Sequence, residues 1–138
     1  MHHDQFLDRV RELTGVATAV DAEPIARAVL ETLGERVSKS QADDLAAQLP
    51  AELKPHLYTY MGHIGGEKRG VRTFSVREFF NKVGARSGCR HGEAKRRTEA
   101  VAAVLAEAIS PGEIDDMLRE LPDEFGILFG RQEREART

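Results

Sequence analysis

Apolar residues along this chain recur at helical spacing. Phe6, Leu7, Val10 and Leu13 fall at i, i+1, i+4 and i+7, one face of a helix over about 3–13. Thr14-Gly15 ends it, with glycine supplying a left-handed cap. The stretch 16–23 reads as a short polar connection, and Pro24 as the first turn of a second helix, where its missing N–H is no loss. Ile25, Val29, Leu33 and Val37 then recur every four residues, with Ala26 and Leu30 beside them. That helix is long and its apolar face wide. Ser38 and Gln41 have the spacing of a capping box and open a short helix to about Gln48, with Leu45 and Leu49 inward. Pro50 begins a further short helix, 51–57, with Leu53 and Leu57 inward and Pro55 limiting its regularity.

The pattern then breaks. Gly62, Gly65, Gly66 and Gly70 punctuate 58–72, and Lys68, Arg69 and Arg72 charge it, so it reads as a linker. Tyr58, Tyr60, Met61 and Ile64 can pack at its start. Helical spacing resumes at Phe74-Ser75-Val76-Arg77-Glu78-Phe79. Serine stands at the N-cap, glutamate at N3 and phenylalanines at N′ and N4, a capping box with a hydrophobic staple. That helix runs to Ser87 and stops at Gly88. A long helix over about 92–108 follows, with Val101, Val104, Leu105 and Ala108 inward. Ser110-Pro111-Gly112-Glu113 is another capping box with proline at N1, and Met117, Leu121, Phe125 and Phe129 continue the inward series. The stretch 131–138 is charged, without apolar content, and reads as a frayed tail.

The two halves match. Residues 37–53 read VSKSQADDLAAQLPAEL and residues 109–125 read ISPGEIDDMLRELPDEF. Phe6, Val10 and Gly15 align with Phe79, Val83 and Gly88 at a shift of 73. At a shift of 72, Ala28, Val29, Leu33, Glu35, Ser38, Asp43, Asp44, Leu49, Pro50 and Glu52 align with identical residues. Spacing this long with matched caps predicts a duplicated supersecondary unit. The expected architecture is all-α: two tandem homologous units, each of two longer and two short helices, packed as one compact bundle. The first unit takes 1–60, a basic, glycine-rich linker 61–74, the second unit 75–130 and the tail 131–138. A unit of this size has a marginal core alone, so the two are expected to share an interface.

These same residues resemble the bacterial DUF2267 family. The resemblance rests on Phe-(Leu/Phe)-x-x-Val, the Thr/Ser-Gly stop, the Ala-Val-Leu-x-x-Leu helix and the doubled Ser-x-x-(Gln/Glu)-x-Asp-Asp…Leu-Pro-x-Glu motif, across about 6–129. It implies an all-helical, duplicated bacterial protein, and it brings no activity, cofactor or site residue.

Composition narrows the picture further. At 138 residues, with 41% hydrophobic and 31% charged residues, the chain is long enough and apolar enough for a real core. One cysteine, Cys89, excludes an internal disulfide and suits the cytoplasm. No apolar run approaches the roughly 18–20 residues of a membrane span, and no signal peptide is expected from Met1-His2-His3-Asp4-Gln5. Charge is distributed unevenly. Residues 68–97 hold ten basic residues against two acids, within a chain whose net charge is −3.

Candidate chemistry is sparse. Asp43, Asp44, Glu52 and their counterparts Asp115, Asp116, Glu124 lack an EF-hand spacing; they read as a solvated face or as partners of Arg9 and Lys82. His56 and His63 are seven apart but Gly62 interrupts them, and Cys89-Arg90-His91 has too few ligands for structural zinc. Cys89 as a nucleophile lacks an identifiable base. No enzyme activity, cofactor or metal is therefore expected. The expected role is a protein-interaction module whose partner is itself or another protein. The next reading is a nucleic-acid-binding accessory protein whose anion contacts are Lys68, Arg69, Arg72, Lys95, Arg96 and Arg97. A third is a small-molecule binder in a cleft between the repeats. The stretch 68–97 is expected to be neutralised by acidic surface of the same fold or of a dimer partner, with Asp43, Asp44, Asp115 and Asp116 as nearby negative charge that repels phosphates.

Overall fold

The computed structural model describes residues 1–60 and 73–131. It is all-helical over those residues, and most helices start at a local cap. Helix α1 (His3–Thr14) opens with the His2 N–H donating to Gln5 Oε1 at 2.8 Å and ends on Gly15 at φ +81°. Leu13, expected inward, is 42% exposed, because it stands at the tip of the helix where solvent begins. Helix α2 (Ala19–Arg36) starts earlier than expected. Thr18 Oγ1 accepts the Asp21 N–H and Asp21 Oδ2 accepts the Thr18 N–H, both at 3.2 Å. That capping box satisfies the first donors and places Pro24 inside the helix. The carbonyl that proline leaves without a partner is that of Val20, a residue 79% exposed, so water can serve it.

Helix α3 (Lys39–Ala46) is followed by turns and then by a 3-10 helix, Lys54–Tyr58, in place of the expected helix over 51–57. Pro55 lacks the N–H an α-helix needs there. Helix α4 (Val76–Ser87) shows the expected box and staple. Ser75 Oγ accepts the Glu78 N–H and Glu78 Oε1 accepts the Ser75 N–H, both at 3.1 Å, and the Phe74 and Phe79 rings lie 6.3 Å apart. Phe74, assigned to the linker by sequence, is buried. Helices α5 (His91–Ala108), α6 (Pro111–Leu118) and α7 (Glu124–Leu128) complete the described chain.

The helical segments on either side of residues 61–72 have the same lengths in the same order: 12, 18, 8 and 5 residues. Helices α1 and α2 pair as a hairpin, as do α4 and α5, and each hairpin's first helix also packs on the other's second, α1 on α5 and α4 on α2. Helix α3 meets α6. Phe6, Val10, Leu30, Leu33, Val83, Val101, Leu105, Met117 and Phe125 belong to one continuous core. Fully burying one such large side chain contributes about 1.5–3 kcal/mol, and both sets of helices supply side chains to this core. Two approaches are closer than side chains permit: a Cβ on Gly34 of α2 would lie 1.9 Å from the Leu57 carbonyl oxygen, and one on Gly84 of α4 would lie 2.6 Å from the Cys89 carbonyl oxygen. Among the described residues no helix is long and apolar enough to cross a membrane.

Candidate functional site

Several of the polar contacts that cross between the two sets of helices come in reciprocal pairs. Ser38 caps α3 by accepting the Gln41 N–H at 3.1 Å, while its own N–H and hydroxyl donate to Glu120 Oε1 and Oε2 at 2.8 and 2.9 Å. Ser110 caps α6 and its N–H donates to Gln48 Oε1 at 2.7 Å. Gln48 and Glu120 are aligned positions, so each serine reaches across to the other's counterpart partner. Between these contacts Gln41 Nε2 donates to Glu113 Oε2 at 2.7 Å, again from one aligned position to the other. The capping boxes expected at Ser38/Gln41 and Ser110/Glu113 therefore do not close. Their glutamine and glutamate side chains bond to each other, and the serine N–H groups are served from across the seam.

A second reciprocal set joins the long helices. Arg9 of α1 binds Glu107 of α5 through Nε at 3.0 Å and Nη2 at 2.9 Å, and Lys82 of α4 meets Glu35 of α2 at 3.4 Å. Arg9 and Lys82 thus serve these glutamates and not the paired aspartates. The Glu107 hydrogen bond, with that to Glu12, raises the Arg9 pKa further. The two ion pairs differ in depth. Glu107's side chain is 38% exposed, whereas that of Glu35 is 4% exposed and also takes Arg86 at 3.0 Å. Arg86 continues to Thr32 Oγ1 at 2.8 Å and lies 3.9 Å from the centre of the Tyr60 ring. Beside Glu35, Arg36 is buried with its Nε donating to the Phe74 carbonyl at 2.9 Å and its guanidinium near the Phe74 and Phe125 rings. Burial lowers the Arg36 pKa. Only one sequence signal pointed to this cluster, the identity of Glu35 and Glu107 beside an apolar helix face.

The paired aspartates hold local structure. Asp43 accepts the Tyr58 hydroxyl at 2.6 Å and pairs with Lys39 at 3.1 Å. The Tyr58 bond, then the Lys39 bond, depress the Asp43 pKa, and burial followed by the Asp43 bond pushes Tyr58 up to about 12. Asp115 binds Arg131 at 2.9 Å, so the tail is fixed at its first residue; the rest of it lies outside the described residues. Asp116 pairs with Arg119. Among the described residues none of the four aspartates pairs with the basic stretch. Among the described residues the carboxylate partners of that stretch are Glu35, Glu93 and Glu99, acids of the same chain. Among the described residues no group of three or more His, Cys, Asp or Glu is placed to hold a metal.

Of the six expected anion contacts, Lys68, Arg69 and Arg72 lie outside the described residues, as do Met61, Ile64 and His63. The other three share the first turns of α5 but point differently. Lys95 is exposed and 3.7 Å from Glu99, and Arg96 is exposed and bonded to Glu93. Arg97 is half-buried and donates to the Ser87 carbonyl at 2.9 Å, which ties α5 to the end of α4. The Arg96 bond leads the charges that depress the Glu93 pKa. His91 Nδ1 meets Asn81 Oδ1 at 2.9 Å, His56 pairs with Glu23 at 3.4 Å, and the Cys89 sulfur lies 3.7 Å from Ser87 Oγ. His91 is therefore engaged by Asn81. A recess of about 440 Å³ lies between Met1–Asp4 and Pro50–Glu52, within the first set of helices rather than between the two sets.

The geometry defines an all-α protein in which two short-helix ends and two long hairpins interlock through reciprocal polar contacts. The chain belongs to the DUF2267 family: the model of that family, described as "Uncharacterized conserved protein (DUF2267)", matches residues 3–128. No curated protein matches the chain.

Proposed function

We propose that this DUF2267 protein is a duplicated helical unit serving as a non-enzymatic protein-interaction module. Equal helix lengths, aligned caps and the exchange of Ser38–Glu120 for Ser110–Gln48 support the duplication. One observation carries the functional reading: the matching hairpins keep the same interior and carry different exteriors. Residues 3–27 hold five acids against three basic residues, and expose Leu13 and Val20 at the hairpin tip. Residues 76–99 hold seven basic residues against three acids. Interior contacts explain what is repeated. Recognition of partners explains surfaces that differ on one scaffold. A reducing cytoplasm suits the single Cys89.

Site-specific photo-cross-linkers placed at Val20 and at Arg90 of the full chain test this reading in the native host. The expected result is a discrete protein adduct from at least one site, competed by unlabelled protein. Adducts to RNA or DNA alone, or none from either site, would contradict it.

A further inference from the structure

We propose that the outer face of the α4–α5 hairpin docks an acidic segment of a protein chain; this deepens the interaction-module reading and rests on it. The Asn81–His91 bond brings the outer faces of α4 and α5 together. The chain doubles back through Cys89 and Arg90, so one turn back along α4 and one turn on along α5 lead the same way. They lead to Arg77 and Lys95. Arg77, Arg90, His91, Lys95 and Arg96 are all exposed. Among the described residues neither Arg77 nor Arg90 has an ion-pair partner. The aligned positions in the α1–α2 hairpin are Asp4 for Arg77 and Glu23 for Lys95, so the charge is inverted there on an otherwise similar frame.

The lattice of charge favours carboxylates over a phosphate backbone. Glu93 and Glu99 sit among the cations and interrupt any continuous phosphate track. A partner's carboxylates, carried singly on flexible side chains, can replace them pair by pair. Base stacking lacks a platform, since Phe80 is buried against the His91 ring. On the α6–α7 side Glu113, Asp115, Asp116, Glu120, Asp123 and Glu124 repel a long polyanion more than a short segment.

The test titrates the full chain with a labelled oligoglutamate peptide and, separately, with an oligothymidylate of equal charge. The expected result is peptide binding that weakens with salt, loses at least about tenfold in Arg77→Glu/Lys95→Glu, and is unchanged in Arg11→Glu on α1. Arg77→Ala/Lys95→Ala checks the loss without charge reversal, and both variants should melt with the wild type, since both positions are exposed. Absence of peptide binding, indifference to these variants, or tighter binding of the oligothymidylate overturns the proposal. If it fails while the cross-link at Val20 persists, the module reading stands without it; loss of both removes both.

Discussion

The α1–α2 and α4–α5 hairpins have helices of equal length and differ in how tightly they are held. Both close their first helix on a left-handed glycine, Gly15 and Gly88, and both lean that helix on the other hairpin's second. Their ion pairs occupy aligned positions, yet Arg9–Glu107 is half exposed, whereas Glu35, which takes Lys82 and Arg86, is buried. The difference shows what each contact is for. An exposed pair steers little energy, whereas a buried carboxylate with two cations around it fixes where α4 lies on α2. Their surfaces then diverge where neither packing nor capping constrains them.

The largest effect expected from breaking this comparison comes from Gly34. Gly34→Ala drives a Cβ into the Leu57 backbone and should cost about 3 kcal/mol or more by urea unfolding. The aligned residue of the second hairpin is already alanine, Ala106, and Ala106→Gly should cost only the helix-propensity difference, about 1 kcal/mol. Equal losses would mean that the two helices approach their short partners alike.

Next in size is the pair of glutamates. Glu35→Ala removes the buried carboxylate and should cost about 2–3 kcal/mol, because Lys82 and Arg86 keep partial access to water. Glu107→Ala, at the aligned position, should leave the urea midpoint within error. Matching midpoints for the two variants would show that burial does not distinguish them. A smaller loss is expected at the cap that closes as a box: Ser75→Ala should cost about 1 kcal/mol.

The smallest effect is one of pH. The Tyr58–Asp43 latch is matched in the second half by Arg131–Asp115, which contains no phenol. Tyr58 has its pKa raised to about 12 from 10, so its contribution is complete below about pH 10 and fades as pH rises towards 12. Asp43 has its pKa depressed, so its contribution is present at neutral pH and lost as pH falls through that lowered value. Tyr58→Phe should flatten both flanks of the thermal midpoint against pH. A variant that keeps the alkaline decline would place its origin elsewhere.

The fold was legible because apolar spacing, glycine stops and the Ser75–Glu78 box are local signals. Three features were not, each for a physical reason. The start of α2 was hidden because Pro24 is a strong punctuator, while Thr18-x-x-Asp21 is a weaker box that still prevails once Val20 faces water. The boxes at Ser38 and Ser110 failed because Gln41 and Glu113 find each other across the seam, a tertiary choice that spacing does not encode. Along the chain the basic residues of 68–97 form one run of charge. In space Arg86 and Arg97 turn inward to Glu35 and Ser87, and the exposed residues Arg77 and Arg90 did not stand out in the sequence.

The two sets of helices contribute complementary halves of one core. Residues 1–62 and 72–138, expressed separately, test this most directly, with circular dichroism recorded for each half and for the equimolar mixture. Each half alone should unfold weakly and without cooperativity, and mixing should restore helicity and a cooperative transition. Two cooperative transitions, one per half and unchanged by mixing, would contradict it.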